Sequence, residues 1–298
     1  MESKKQYAVI LKGIGGFYYV DAEGETIECK AGGRLRKLRD FRPAVGDLAQ
    51  IERHGETGYI VSIEQRRNFL LRPPIANIDR LFIVASQADP ITDSYLIDKV
   101  MVIAQYQKIE PILLLNKWDL LPSLQMEADY RGAGIRVLRT SAESGQGIDE
   151  LRALLKGKIS AFTGNSGIGK SSLLNRLELK CGADMETGGI SRISRGRHTT
   201  RHVELFPVEG GGYLADTPGF SSFDISKMEH IPKEELQEYY EEFSPYLGQC
   251  RYHGCAHCKE PGCAVEEAAQ KGEISRARLE NYRKLYEELS QWKEWANK

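Results

Sequence analysis

No stretch of the 298 residues approaches the roughly 18–20 uncharged apolar residues that a membrane span needs. The opening residues, MESKKQYAVILKGIGG, lack the apolar run and cleavage site of a secretory signal. A cytoplasmic chain with no membrane partner is therefore expected. Net charge is equally scant, at −1, so any nucleic acid must be held by a local patch and not by the molecule at large. Cysteines spread out for disulfides are missing too. Of six, only Cys29 and Cys181 stand apart, while Cys250, Cys255, Cys258 and Cys263 fall within fourteen residues. In a reducing compartment that crowding reads as a metal site. There is no internal repeat and no low-complexity tract.

What charge there is lies unevenly. RLRKLRDFR carries Arg34, Arg36, Lys37, Arg39 and Arg42 against one acid, and KEELQEYYEEF is mostly acidic. Each is either a solvated face or a binding patch.

From Tyr7 to about Leu71, short alternating stretches (YAVIL, FYYV, TIEC, LAQI, GYIVSI) are separated by glycines. Five short strands in about sixty residues predict a small antiparallel barrel of OB-like type, and an SH3-like barrel would give much the same pattern. The paired prolines of LRPPIANIDR predict a stiff joint and a domain boundary near residue 72. Beyond it, apolar runs of strand length (RLFIVAS, PILLLNK, IRVLRTS, KISAFTG) alternate with helical patterns at 93–107, 147–156 and from Gly169 onward. Such βα units predict a mostly parallel sheet covered on both faces. After GGYLADTPG the pattern changes to a helical segment, the Cys/His cluster, and helices over about 264–271 and 275–296.

GNSGIGKS, residues 164–171, fits G-x-x-x-x-G-K-[ST] between a strand and a helix. Gly164, Gly167 and Gly169 let the backbone amides of Asn165, Ser166 and Ile168 turn toward phosphate oxygens. Lys170 is placed to reach the β and γ phosphates, Ser171 to ligate Mg²⁺, and Ser172 to complete the cradle. NKWD, residues 116–119, follows the apolar run ILLL and so sits at the carboxyl end of a strand, where open α/β sheets bind ligands. There Asp119 can accept both N1–H and the 2-amino group of guanine. Adenine offers neither donor, and an unpaired buried carboxylate gives strong discrimination. Asn116 would brace the loop, the stem of Lys117 could lie along the base, and Trp118 belongs to the same loop. TSA at 140–142 offers the Ala142 N–H to guanine O6, with Ser141 holding the turn.

DTPG at 216–219 supplies Asp216, suited to hold Mg²⁺ through water, and the Gly219 N–H to sense a γ-phosphate. RGRHTTRH offers Thr199 and Thr200 as hydroxyl ligands, with Thr200 the expected one. Where many such switches carry a water-positioning glutamine, this chain has Phe220, which cannot orient water. His198 is the nearest competent substitute, and an RNA contact or a loop hydrogen bond is its alternative role.

These five elements run in the order base reader, TSA, phosphate loop, threonine switch, DTPG. Circular permutation explains all five at once, since domains with neighbouring termini tolerate such a cut. It also joins DTPG directly to the C-terminal segment, which hydrolysis should then move. In that segment C-x4-C-x-H-x5-C offers Cys250, Cys255, His257 and Cys263 to a tetrahedral Zn²⁺ with no open position. Cys258 and His253 are competing ligands.

This order, with a small β-barrel before it and C-x4-C-x-H-x5-C after it, resembles the RsgA (YjeQ) family of bacterial ribosome small-subunit-dependent GTPases across nearly the whole chain. The resemblance implies an OB-fold, a circularly permuted P-loop GTPase domain and a helical zinc-binding domain, expected at 1–71, 72–222 and 223–298. It implies binding to the 30S subunit and its 16S rRNA in late maturation, with subunit-stimulated hydrolysis of GTP to GDP. It also draws attention to His198. The expected cofactors are GTP or GDP, Mg²⁺ and one structural Zn²⁺. A monomer with no DNA partner is expected, and the Arg34–Arg42 stretch of the barrel is the first candidate for rRNA contact.

Overall fold

The computed structural model describes residues 5–36, 42–71, 73–177, 203–216 and 231–296. Five strands open the chain: β1 (Lys5–Ile14), β2 (Phe17–Ala22), β3 (Glu25–Ala31), then, after the short helix α1 (Gly33–Arg36), β4 (Leu48–His54) and β5 (Thr57–Ile63). They close into a barrel in the order β1-β2-β3-β5-β4. Alternate residues point inward, so Ile10, Val20, Ile27, Cys29, Ala49, Ile51 and Ile60 fill its centre. Four of its five pairings are antiparallel, and the ladder between β3 and β5 is parallel. Burial pushes the Cys29 thiol up to about 11, consistent with a packing role.

Where the paired prolines predict an extended joint, the chain folds back on itself. β6 (Phe69–Leu71) and β7 (Pro74–Ala76) form a short antiparallel ladder. Pro74 sits at the end of that ladder, where its missing N–H costs least. Gly46 passes close beneath it: a Cβ there would lie 2.2 Å from the Ala76 carbonyl oxygen.

The α/β part follows as β8 (Arg80–Ala85), α2 (Ser94–Tyr106), β9 (Glu110–Leu115), α3 (Leu124–Gly132), β10 (Arg136–Arg139), α4 (Ile148–Leu155), β11 (Lys158–Gly164), α5 (Lys170–Arg176), β12 (Leu205–Pro207) and β13 (Gly212–Asp216). The strands form one sheet in the order β10-β9-β8-β11-β13-β12. β9 and β10 are parallel, as are β11 and β13, and the edge strand β12 runs antiparallel to β13. Leu81–Ala85 and Ile112–Leu115 are completely buried, as strands covered on both faces must be. Two 3-10 helices (Lys233–Tyr239 and Glu241–Tyr246), α6 (Ala264–Gln270) and the long α7 (Arg276–Ala296) complete the described chain.

Contacts divide the chain into two compact units. One comprises 1–80, 150–162 and 174–218, and the other 81–149, 163–173 and 219–298. In the first, the barrel is fastened to the later strands by Lys12 with Glu204 (3.0 Å) and by the Tyr213 hydroxyl donating to Asp21 (3.0 Å). In the second, a buried ionic cluster fixes α7 on α2. Arg278 reaches Asp98 through Nη1 (2.5 Å) and Glu242 through Nε (2.5 Å), and Asn281 donates to Asp98 (2.7 Å). Tyr130 and Tyr240 present ring faces to the same guanidinium. Desolvation works against the Arg278 charge, but the two carboxylates outweigh it and hold its pKa well above the ordinary arginine value.

Candidate nucleotide and metal sites

The phosphate loop, TSA and NKWD all lie in the second unit, and side chains cross-link them. Asn116, almost fully buried at the end of β9, donates from Nδ2 to the Ile168 carbonyl in the phosphate loop (2.9 Å). Its Oδ1 accepts from the Thr140 hydroxyl (3.4 Å). One amide thus spans two motifs 52 and 24 residues away along the chain. The approach is close enough to dictate sequence: a Cβ on Gly169 would lie 2.4 Å from Asn116 Nδ2, and Gly169 has φ +94°. On Gly164, a Cβ would meet the Val84 carbonyl oxygen at 2.5 Å.

Around that bridge lie other residues singled out in the sequence. Lys117, at φ +56°, donates from Nζ to the Asp89 carbonyl in the loop after β8. The Trp118 N–H donates to the Thr140 carbonyl (3.2 Å), and Asp119 is exposed. Ser141 is buried, and its Oγ accepts from the Ser144 N–H (3.0 Å), closing the turn that carries half-buried Ala142. In the phosphate loop, Ser166 and Gly167 form the exposed tip, Asn165 is half-buried and Ile168 is buried beneath. Lys170 Nζ is held over the loop by the carbonyls of Gly164 (2.7 Å) and Asn165 (2.8 Å). Ser171 and Ser172 open α5, half-buried and exposed respectively.

Asp216 ends β13, paired with Phe162 two residues before the phosphate loop; its side chain lies outside the described residues. His198, Thr199, Thr200, Gly219 and Phe220 also lie outside them, as does the junction between DTPG and the C-terminal segment. So do Lys37, Arg39 and the side chains of Arg34 and Arg36, whereas Arg42 is exposed.

Farther along, Cys250, Cys255, His257 and Cys263 bring their ligand atoms within 4.8 Å of one another. His257 Nδ1 is 3.6 Å from Cys250 Sγ and 3.3 Å from Cys263 Sγ. A tetrahedron with Zn–S near 2.3 Å and Zn–N near 2.0–2.1 Å has edges of about 3.5–3.8 Å, so the donor set fits Zn²⁺. His257 Nε2 lies 2.9 Å from Gln237 Oε1, an acceptor that keeps the proton on Nε2 and leaves the Nδ1 lone pair facing the sulfurs. The competing Cys258 turns its Sγ to the Ala256 carbonyl, and neither it nor His253 joins the group. Burial pushes the Cys255 thiol up to about 12 and also lowers the His257 pKa. Such surroundings favour the neutral thiol at neutral pH, and a bound cation would favour the thiolate. Tyr282 and Arg283 on α7 donate to the carbonyls of Ala256 and His257 (3.0 Å each), fixing the loop from behind.

Sequence reasoning missed Gln237, Asp89 and the Thr140 hydroxyl. Gln237 lies twenty residues from His257 inside an acidic run, with no spacing signal; Thr140 stands within TSA, where its reach to Asn116 could have been suspected.

A family model described as RsgA GTPase matches residues 63–226, and one described as RsgA N-terminal domain matches residues 9–60. A protein of Caldanaerobacter subterraneus subsp. tengcongensis named small ribosomal subunit biogenesis GTPase RsgA is 44% identical over 287 residues, 95% of each chain. A Geobacillus protein of the same name is 42% identical over 292 residues, spanning 95% of this chain and 97% of its own length. Among solved structures, YjeQ from Thermotoga maritima superimposes with TM-score 0.81 at 34% identity, covering 96% of this chain and 99% of its own. YloQ, described as a circularly permuted GTPase, gives 0.77 at 31% identity, covering 97% and 96%.

Proposed function

The chain belongs to the RsgA GTPase family, and from that premise we propose that it binds the small (30S) ribosomal subunit and its 16S rRNA, hydrolysing GTP as it assists late maturation of the subunit. The observation that carries the nucleotide half of this reading is the Asn116 bridge from the base-reading loop to the phosphate loop and to Thr140. With those loops tied together, Asp119 selects guanine while Lys170 leaves the carbonyls of Gly164 and Asn165 for the β and γ phosphates. The loop amides from Gly164 to Ser172 line the phosphates, Ser141 and Ala142 close the base end, and Gly219 senses the γ-phosphate.

Ser171 and Thr200, with Asp216 nearby, would hold Mg²⁺, and the ion would supply positive charge to offset what develops on the phosphate oxygens. A water attacks the γ-phosphorus in line with the departing β-phosphate oxygen, and His198 orients it. Cys250, Cys255, His257 and Cys263 hold a structural Zn²⁺, and the basic stretch from Arg34 to Arg42 meets rRNA phosphate. The three-domain division at 1–71, 72–222 and 223–298, a monomeric state, a cytoplasmic location and the lack of a DNA partner belong to the same reading.

The test is GTP turnover by the full chain alone, with purified small subunits, and with large subunits. Small subunits should stimulate turnover strongly and large subunits should not, and His198→Ala should remove the stimulation while GTP affinity is kept. Turnover indifferent to small subunits would overturn the reading.

A further inference from the structure

Trp118 stands immediately before the carboxylate assigned to guanine, and it carries a contact that the base-reading motif does not require. The Arg139 guanidinium carbon lies 4.7 Å from the centre of its ring. That guanidinium is held in turn. Arg139 Nε lies 2.9 and 3.0 Å from the two carboxylate oxygens of Glu127, and Nη2 lies 2.8 Å from Oε2. The Glu127 side chain is 7% exposed, and its Oε1 also accepts from Arg131 Nε (2.9 Å), while Arg131 Nη2 donates to the Val137 carbonyl (2.8 Å). Arg139 is the last residue of β10, next to Thr140, whose carbonyl and hydroxyl hold Trp118 and Asn116. The loop is therefore gripped from β10 through a side chain as well as through the backbone.

We propose that Arg139 is a positioning residue for guanine selection: stacked on Trp118 and locked by Glu127, it keeps the Asp119 carboxylate from drifting off the base edge. The inference rests on the assignment of Asp119 as base reader. A planar guanidinium is what both contacts need, since a lysine keeps the charge but loses the stack and the two-toothed grip. A cation over an aromatic face at a partly exposed site is worth about two- to fivefold in an equilibrium constant. The effect should therefore be a tuning of selectivity and not an on–off switch.

The experiment measures dissociation constants of GDP, ADP and xanthosine diphosphate for the full chain and its variants. Arg139→Met should weaken GDP about two- to fivefold and narrow the preference for GDP over ADP by the same factor. Trp118→Leu should do the same, Arg139→Lys should fail to restore the wild-type ratio, and the double variant should be no worse than either single one. Unchanged GDP affinity in Arg139→Met would sink the proposal, as would additive single effects. Equal weakening of GDP and ADP with a lowered melting temperature would sink it too, since that marks a merely structural role. Asp119→Asn separates this failure from that of the underlying assignment. An amide there donates to the 2-oxygen of xanthine, so gain of xanthosine diphosphate binding upholds Asp119 as base reader whatever Arg139 does. No gain removes the base reader and the positioning residue together.

Discussion

The base-reading loop and the Cys/His loop are both irregular segments in the same compact unit, and both are held in shape by side chains from distant parts of the chain. They differ in where their functional atoms face. Around residues 116–119 the anchors are spent on neighbours: Asn116 on Ile168 and Thr140, Lys117 on Asp89, Trp118 on Arg139. Asp119 is left exposed, with no hydrogen bond to any described residue. Around residues 250–263 the four ligand atoms converge on one point, and the anchoring is done from behind by Tyr282, Arg283 and Gln237. An outward carboxylate suits a ligand that comes and goes. A closed ring of donors suits an ion that stays.

If that contrast holds, the largest loss should follow from opening the closed site. Cys255→Ala is expected to release the metal and unfold the segment around α6, with binding free energies of about 10–16 kcal/mol in zinc-finger peptides as the upper bound. Metal content and melting temperature measured together check this. A variant that keeps both would make the Cys/His loop no different from any surface turn.

Next comes the ionic cluster that seats α7, the helix from which Tyr282 and Arg283 reach the Cys/His loop. The side chains of Arg278, Asp98 and Glu242 are 4%, 0% and 5% exposed, so Arg278→Ala leaves two buried carboxylates unpaired. The expected cost is about 3–5 kcal/mol by urea unfolding. Replacing all three with Met and Leu should recover most of it, because burying paired charges is itself expensive. A triple variant no better than Arg278→Ala would mean that the cluster supplies more than pairing.

The open site should respond in binding before it responds in stability. Gly169→Ala places a methyl group 2.4 Å from Asn116 Nδ2, at a φ that an L side chain rarely adopts. At about 1–3 kcal/mol for such strain, GDP affinity is expected to fall roughly tenfold as Asn116 gives way. Titration of GDP into the variant checks it, and undiminished binding would show that the bridge is not needed to hold the pocket.

Much of this was legible beforehand because it is written in local pattern. Period-2 alternation marked the five barrel strands, apolar runs marked β8 and β9, the phosphate-loop motif marked β11 before it, and the spacing C-x4-C-x-H-x5-C named the four residues whose ligand atoms meet. What escaped was non-local or short. β12 has three residues, and the ladder of β6 and β7 straddles two prolines that argue against a strand. Gln237 and Arg139 reach their partners only after the chain has folded, since nothing in one sequence says that residue 237 will face residue 257 or that a strand-end arginine will cover Trp118.

The smallest expected effect tests the clamp behind the open site through pH. Hydrogen bonding from Arg139, with further help from Arg131, outweighs the cost of burial and holds the Glu127 carboxyl below its ordinary 4.5. Because the folded value is the lower one, the unfolded chain takes up the proton first as pH falls. The clamp's contribution, about 1 kcal/mol or less, is therefore fully present above about pH 4.5 and disappears as pH drops through the folded value. Comparing wild type with Glu127→Gln cancels every other group that titrates in that range. The stability difference should be present at pH 6 and smaller at pH 4. An equal difference at both would mean that Glu127 is not held ionised by its arginines, and the grip on Trp118 would then have to come from the ring contact alone.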